Sequence, residues 1–501
     1  MIYQKLIRLM LIFCATSLGY CTNAQVTTST LSGNITSSDG KTLSGATVKI
    51  SYSNAGIYKT TITQSNGSYF VPNLRVGGPY SITVSFTGFN EKTENNISLE
   101  LGQNTIVDFK LQTTSVNLNE VTVLSKSKLF DNQRTGASTN ISSRQIRQLP
   151  TISRSADDFT RLTPSASSTV NGTSFAGKNG QYNNYSLDGA VFNNPFGLDA
   201  PTPGGQTSSQ PVSLDAIDQI QVNIAPYDVT QAGFTGAGVN TVTKSGTNTF
   251  AGTVYGFYRN ESLTGKKINS NKIVVPKLDQ YQTGAAIGGA IVKNKLFYFL
   301  NFETEQRQDA PTAFVGKNST NGDKSNVSRV LEQDLIDVRT ILKNKFGYET
   351  GDYQGFNYKQ KSSKWLAKLD WVINNNNSLS FTYNGLDASK EKPAHPSAIG
   401  RRGPDFTTMQ FRNSGYRINN KLQSFGSELK SNFGSRYANK LRLVYTTFRD
   451  KRDALSTPFP VVNITKNNVR YIIAGHEPFS VNNILNQDAF QATNDFNIYK
   501  K

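Results

Sequence analysis

The chain has 501 residues, with 53 Lys and Arg against 35 Asp and Glu, giving a formal net charge of +18. Hydrophobic residues make up 36% and mean hydropathy is −0.44, and past the N-terminus no apolar run nears the ~18 residues of a membrane helix. That excludes a helical membrane protein but not a membrane barrel, whose strands give every second residue to a polar lumen. A composition of Gly 40, Tyr 22 and Phe 29 against two Trp suits long strands and tight turns. The Lys and Arg are scattered over the chain rather than gathered in one run, so the charge predicts solvated loops, a polar lumen and anionic lipid as its partners, not nucleic acid.

The first 24 residues read as a targeting segment. Lys5 and Arg8 precede an apolar core from Leu9 to Leu18, and Thr22-Asn23-Ala24 offers a cleavage site between Ala24 and Gln25. A lipidation signal at Cys21 would need a small residue where Tyr20 stands. Both cysteines, Cys14 and Cys21, lie in this segment, so no disulfide framework or thiolate metal site is expected in the mature chain.

Residues 31–112 predict a compact β-sandwich, within a domain drawn as 25–112. Turn signals at 37–40, 65–69, 76–80 and 87–89 separate short alternating strands. Val48 and Ile50, then Ile82, Val84 and Phe86, are the inward candidates. The run SGNITSSDGKTLSGATVKI, followed by SNGSYFVPNL and SITVSFTGF, resembles the carboxypeptidase regulatory-like domain, a module that accompanies a catalytic domain and carries no chemistry itself. A linker over 113–134 follows. Its island Asn119-Glu120-Val121-Thr122-Val123-Leu124 resembles a TonB box, a β-prone segment that adds itself to a partner's sheet edge. An extra edge strand of the sandwich is the other reading of the same residues.

Residues 135–245 predict a small α/β plug. Ile141, Ile146 and Leu149-Pro150 open it. A short helix is expected next, with Ser155 as N-cap, Asp158 completing a capping box, and Phe159 and Leu162 on its apolar side. Tyr185 to Gly189 reads as a strand running into a turn at Asp188-Gly189. Gln219 to Ile224 reads as a second strand with Ile220, Val222 and Ile224 on one face. Gly233, Gly236 and Gly238 are expected to let the backbone approach a barrel wall.

From 246 to 501 the strands lengthen. Trp365, Ala367, Leu369, Trp371 and Ile373 share one face, and Lys368, Asp370 and Asn374 the other; after the Asn374–Asn377 turn, Leu379, Phe381 and Tyr383 share a face again. Short turns near 293–295, 374–377 and 434–438 alternate with long excursions at 260–278, 308–360, 389–410 and 450–490. An apolar outside, a polar inside and alternating connection lengths are the signature of an outer-membrane barrel. One excursion predicts an amphipathic helix bearing Val327, Leu331, Leu335, Val338 and Leu342, closed by Gly347.

In this order of parts, and in YSLDGAVFNNPFG with QIQVNIAPYDVTQAGFTGAGVNTVTKSGTNTFAGTVYGFYRN, the chain resembles a TonB-dependent receptor of the Oar-like branch. The fold expected is mainly β: a β-sandwich, a small α/β plug domain and a partial antiparallel transmembrane β-barrel. The resemblance implies energised import of a bulky extracellular ligand across the outer membrane, with a periplasmic TonB-type partner gripping Glu120, Val121, Thr122 and Val123. A surface role in adhesion or secretion is the alternative it leaves open. Asp188, Gly189, Gly236 and Gly238 are the plug landmarks. Barrels of this family have ~22 strands, whereas 247–501 supplies about eight, so a C-terminally truncated barrel is expected.

No catalytic residues, cofactor or metal are expected. Gly172 to Lys178 nearly matches a phosphate-binding loop, but Asn179 replaces the required Ser or Thr. The two histidines, His395 and His476, form no closely spaced metal pair.

Overall fold

The computed structural model describes residues 26–114, 137–169, 172–193, 202–224, 234–322, 324–394, 403–434 and 436–499. Ala24, Gln25, the box-like residues Glu120 to Val123, Gly233 and His395 lie outside them.

Eight short strands build the N-terminal sandwich: β1 (Ser29–Ser37), β2 (Thr47–Tyr52), β3 (Ile57–Ile62), β4 (Ser68–Leu74), β5 (Gly77–Ser85), β6 (Lys92–Leu99), β7 (Asn104–Ile106) and β8 (Phe109–Leu111). One sheet has the order β4-β1-β7, with β8 also paired to β1, and the other β3-β2-β5-β6. Period-two alternation sends Leu31 and Ile35 from the first and Val48, Ile50, Ile82 and Val84 from the second into one buried core. Burying each such side chain contributes about 1.5–3 kcal/mol. One expected turn is corrected. Residues 77–80 already belong to β5, and the chain reverses at Arg75 and Val76. The glycines there serve an irregular strand start, with register shifts against β6 at Gly77/Tyr80 and Tyr80/Ile82.

The plug contains β9 (Ala137–Ile141), β10 (Ala166–Thr169), β11 (Gly172–Phe175), β12 (Asn184–Leu187), β13 (Ala190–Val191), β14 (Ile217–Ile224) and β15 (Ala237–Thr243). Five of them form a sheet of order β13-β12-β15-β14-β9, in which only β12 and β15 run parallel. Ile220 and Val222 are fully buried beneath it, as the alternation predicts. A capping box does occur, but at Ser142 and Gln145, opening the helix Ser143–Gln148. The expected box at Ser155 and Asp158 is absent. The helix Asp157–Thr160 starts after Ala156, without a side-chain cap. The Asp158 carboxylate turns back to accept from the amides of Ile152 (3.0 Å) and Ser153 (2.8 Å), which fixes the preceding turn instead. Phe159 is buried there, but Leu162 is 53% exposed. The near-match to a phosphate loop is a β-hairpin of β10 and β11 with no α-helix after it.

The remaining strands are β16 (Ala251–Asn260), β17 (Lys267–Ile268), β18 (Asn271–Lys272), β19 (Leu278–Val292), β20 (Leu296–Asp309), β21 (Val315–Lys317), β22 (Val327–Leu331), β23 (Tyr358–Val372), β24 (Asn377–Lys392), β25 (Met409–Gln410), β26 (Tyr416–Phe433), β27 (Tyr437–Ala454), β28 (Val462–Lys466), β29 (Val469–Ala474) and β30 (Ile484–Ile498). Eight of these form one antiparallel sheet, β16-β19-β20-β23-β24-β26-β27-β30, whose edges are β16 and β30. Its members are 10 to 18 residues long, enough for the 9–11 or so that a tilted membrane strand requires.

Exposure along this sheet is inverted relative to a water-soluble protein. Glu303 is 0% exposed while its neighbour Phe302 is 51% exposed, and Lys364 is buried next to half-buried Trp365. Polar residues face inward and aromatic ones outward, the arrangement for a wall with hydrocarbon outside. Inward apolar residues of the wall, including Leu366, Leu386, Leu422 and Val444, share one core with Leu187, Ile220 and Val222 of the plug. The long connections gather at one end and have a core of their own, which includes Val330, Leu335, Leu342, Met409, Phe411 and Ile472. The helix there spans Glu332–Phe346 and ends at Gly347 as expected, but it starts later than the pattern suggests. Val327 and Leu331 belong to β22, because pairing with β21 satisfies their backbone first.

Candidate functional site

The site is the seat of the plug in the wall, and it is built around the tight turn after β12. Asp188 and Gly189 both have left-handed backbones, φ 47° and 77°, which bend the chain sharply towards the sheet. The Asp188 carboxylate accepts from the amide (2.9 Å) and hydroxyl (2.5 Å) of Thr243 at the end of β15, so the turn is locked to the neighbouring plug strand. From the wall, the buried Lys368 ammonium lies 3.5 Å from the same carboxylate and donates to the Thr243 hydroxyl at 3.1 Å. Gly189 meets a second cation. Its carbonyl accepts from Arg442 Nη1 at 3.2 Å, and a methyl group at position 189 would lie 2.1 Å from the guanidinium carbon.

Arg442 is itself held by Glu428 on the adjacent strand β26, through Nε at 3.1 Å and through a second contact from Nη2. Thr27, just before the sandwich, donates to the same carboxylate at 3.0 Å and accepts from Arg442. Further along the same wall, Glu303 of β20 accepts from Ser213 (2.8 Å), from Tyr255 (2.7 Å) and from Lys364 (2.8 Å). Gln491 of β30 receives the Val191 amide at 3.1 Å and donates to the Val191 carbonyl at 3.2 Å, pairing with plug backbone as a strand would. The seat therefore adds directional polar contacts to the apolar core that plug and wall share. Such contacts hold one register firmly, because each demands a particular donor and acceptor geometry.

At the short-turn end a cavity of about 150 Å³ lies between sandwich, plug and wall, with Arg75, Asp188, Asp218, Lys368 and Lys430 among its lining. Burial pushes the Asp218 carboxyl up, against the pull of Arg75, Lys244 and Lys368. Burial also pushes the Lys59 ammonium down to about 8, helped by Lys430 beside it. Deeper in the plug, burial raises the Asp157 carboxyl, which accepts from Gln210.

Asp188 and Gly189 thus come together with Lys368 at the seat. Gly236 and Gly238 do not, and the expectation of a close approach to the wall is corrected. A Cβ at 236 would meet Asn183 Oδ1 at 2.3 Å, and one at 238 the Phe234 ring at 3.0 Å, both inside the plug. His476 shares its Nδ1 with Ser456 and Thr457 in a long connection, away from the seat. Arg442, Glu428, Glu303 and Gln491 were not singled out from the sequence. Their signal was present, since each is a charged or amide residue on the polar face of an alternating strand, but the face alone does not say what lies against it.

Two family models agree with this architecture. The model of an outer membrane beta barrel domain matches residues 242–500, and that of a carboxypeptidase regulatory-like domain matches residues 30–112. The chain belongs to the outer membrane beta barrel domain family, and its place is the outer membrane of a Gram-negative bacterium. Among individual proteins, it is 23% identical over 346 residues to the TonB-dependent transporter Oar of Myxococcus xanthus, a match covering 66% of this chain and 31% of that protein. The chain therefore spans about a third of the length of the curated relative it matches. Among solved structures it is similar to the outer membrane transporter YddB of Escherichia coli (TM-score 0.45, 12% identity, 68% of this chain and 43% of that one). It is also similar to a variant of the ferric enterobactin receptor of Pseudomonas aeruginosa (TM-score 0.43, 12% identity, 71% and 46%).

Proposed function

We propose that this chain is the sandwich, plug and first wall of a TonB-dependent outer-membrane receptor that imports a bulky ligand. The plug closes the lumen until a periplasmic energy-transducing partner pulls on the segment Glu120 to Val123. The observation that carries the reading is the plug seat: a compact sheet held inside a barrel wall by Lys368, Arg442 and Gln491 through polar contacts rather than by apolar packing alone. The linker before β9 supports it, because β9 is an edge strand of the plug sheet and is the first element a pull on that linker would load. The three-connection core at the long-loop end supplies a structured outer surface for ligand. The curated relative is named a transporter, so the chemistry proposed is binding and passage.

The test is uptake by the full-length protein with and without residues 119–124. Loss of uptake with retained surface binding is expected. Equal uptake by both forms would sink the reading.

A further inference from the structure

The plug strand β14 carries a second row of buried residues that its seat in the wall does not use. Gln219, Gln221 and Asn223 alternate with the apolar row and are all buried, although they are polar. Two of them are covered by the sandwich turn between β6 and β7. Gln219 accepts from the Leu101 amide (2.8 Å) and donates to the Leu99 carbonyl (3.1 Å), and Gln221 donates to the Leu101 carbonyl (2.6 Å). The approach is close enough that a Cβ on Gly102 would stand 2.5 Å from the Gln221 amide nitrogen. The same turn grips β9 itself, through Asn140 to Glu100 (3.2 Å) and Gln103 to Ser138 (3.1 Å).

The sandwich is also fastened to the wall. Arg75 donates to the carbonyls of Ser245 and Gly246, the link between plug and wall, at 3.1 Å each. The Asn248 amide donates to the Asn54 carbonyl at 2.6 Å, and Thr249 donates to the Asn54 side chain at 2.9 Å. All these contacts lie at the short-turn end, beneath the plug.

We infer that the sandwich is a latch: it clamps the plug's first strand from below and ties it to the wall, so the plug cannot leave its seat until the sandwich undocks. Three arguments carry this. Strand β9 lies between β14 on one side and the sandwich turn on the other, so peeling it breaks both sets of bonds. When the sandwich leaves, Gln219 loses its bonds to Leu99 and Leu101 and the Gln221 amide nitrogen its bond to Leu101, and a buried amide group without a partner is costly until water reaches it. The sandwich also walls in the cavity at the short-turn end together with the plug and the barrel sheet. The inference rests on the proposed pull on the linker, and it adds a second gate in series with the plug.

The test is force spectroscopy on the full-length mature protein in lipid nanodiscs, with Thr122→azidophenylalanine as a thiol-free handle. Pulling is from the short-turn side. Gln221→Ala should lower the force of the first rupture at least twofold. Because that variant could also loosen the plug, a second one strengthens the latch: a bismaleimide bridge between Asn54→Cys and Thr249→Cys, outside the plug, should raise the first rupture force at least twofold. Unchanged rupture forces in the bridged protein would overturn the latch. The instrument supplies the pull, so this result is independent of whether any partner recognises Glu120 to Val123.

Discussion

The Gly189→Ala substitution adds one methyl group at the point where the plug turn meets the wall. Two costs combine. An L-residue in the left-handed conformation that Gly189 adopts costs roughly 1–2 kcal/mol. The methyl also displaces the Arg442 guanidinium, removing a charged hydrogen bond to the Gly189 carbonyl that is worth about 1.5–3 kcal/mol. The total is about 2.5–5 kcal/mol, and every 1.4 kcal/mol is about tenfold in an equilibrium. Hydrogen exchange in β12 and β15 should therefore accelerate by about two to three orders of magnitude if local opening is the route of exchange. Gly177 supplies the control. It has φ 74° with nothing within 4 Å of an added Cβ, so Gly177→Ala bears the backbone cost alone. Native-state exchange followed by mass spectrometry reads both variants. Equal acceleration in the two would refute the claim that Arg442 fastens the turn.

Four further outcomes are expected. Asp158→Ala removes the acceptor for the Ile152 and Ser153 amides and should cost about 1–3 kcal/mol in plug stability, whereas Ser155→Ala should cost well under half of that; chemical denaturation of the plug compares them. Leu335→Ala should cost about 2–5 kcal/mol in the long-loop core while leaving the wall intact, seen as faster proteolysis between 309 and 357 with unchanged heat-modifiability. Lys59 has a depressed folded value of about 8, so the unfolded or undocked chain binds more protons between about 8 and the ordinary 10.5. Its contribution to docking therefore improves as pH rises through that window, and a Lys59→Met variant should lose this part of the pH dependence in melting curves. Val121→Pro with Val123→Pro should abolish uptake without weakening surface binding, since proline removes the backbone donors that strand addition requires; unaltered uptake would count against the box.

Much of the fold is legible because each strand has one dominant environment. In β23 the alternation of Trp365, Leu369 and Trp371 with Lys364 and Lys368 states which face meets lipid and which meets the lumen. The turn at Asn374–Asn377 and the helix closed by Gly347 follow from local backbone preferences alone. The Asp188-Gly189 turn could be recognised for the same reason. What the residues at the seat touch could not. Arg442 and Glu428 carry no such local signal, and only the assembled wall sets them against the Gly189 carbonyl and Thr27.

The sequence by itself determined the strand faces and the alternation of short and long connections, because these rest on periodicity and on local turn chemistry. The tertiary structure decided the rest. It placed Gly236 and Gly238 inside the plug and moved the capping box from Ser155 to Ser142. It also turned the polar face of β14 into a buried docking surface for the sandwich. The physical reason is common to all three. A polar or glycine residue is compatible with water, with a neighbouring strand or with another domain, and only the packed neighbour selects among them.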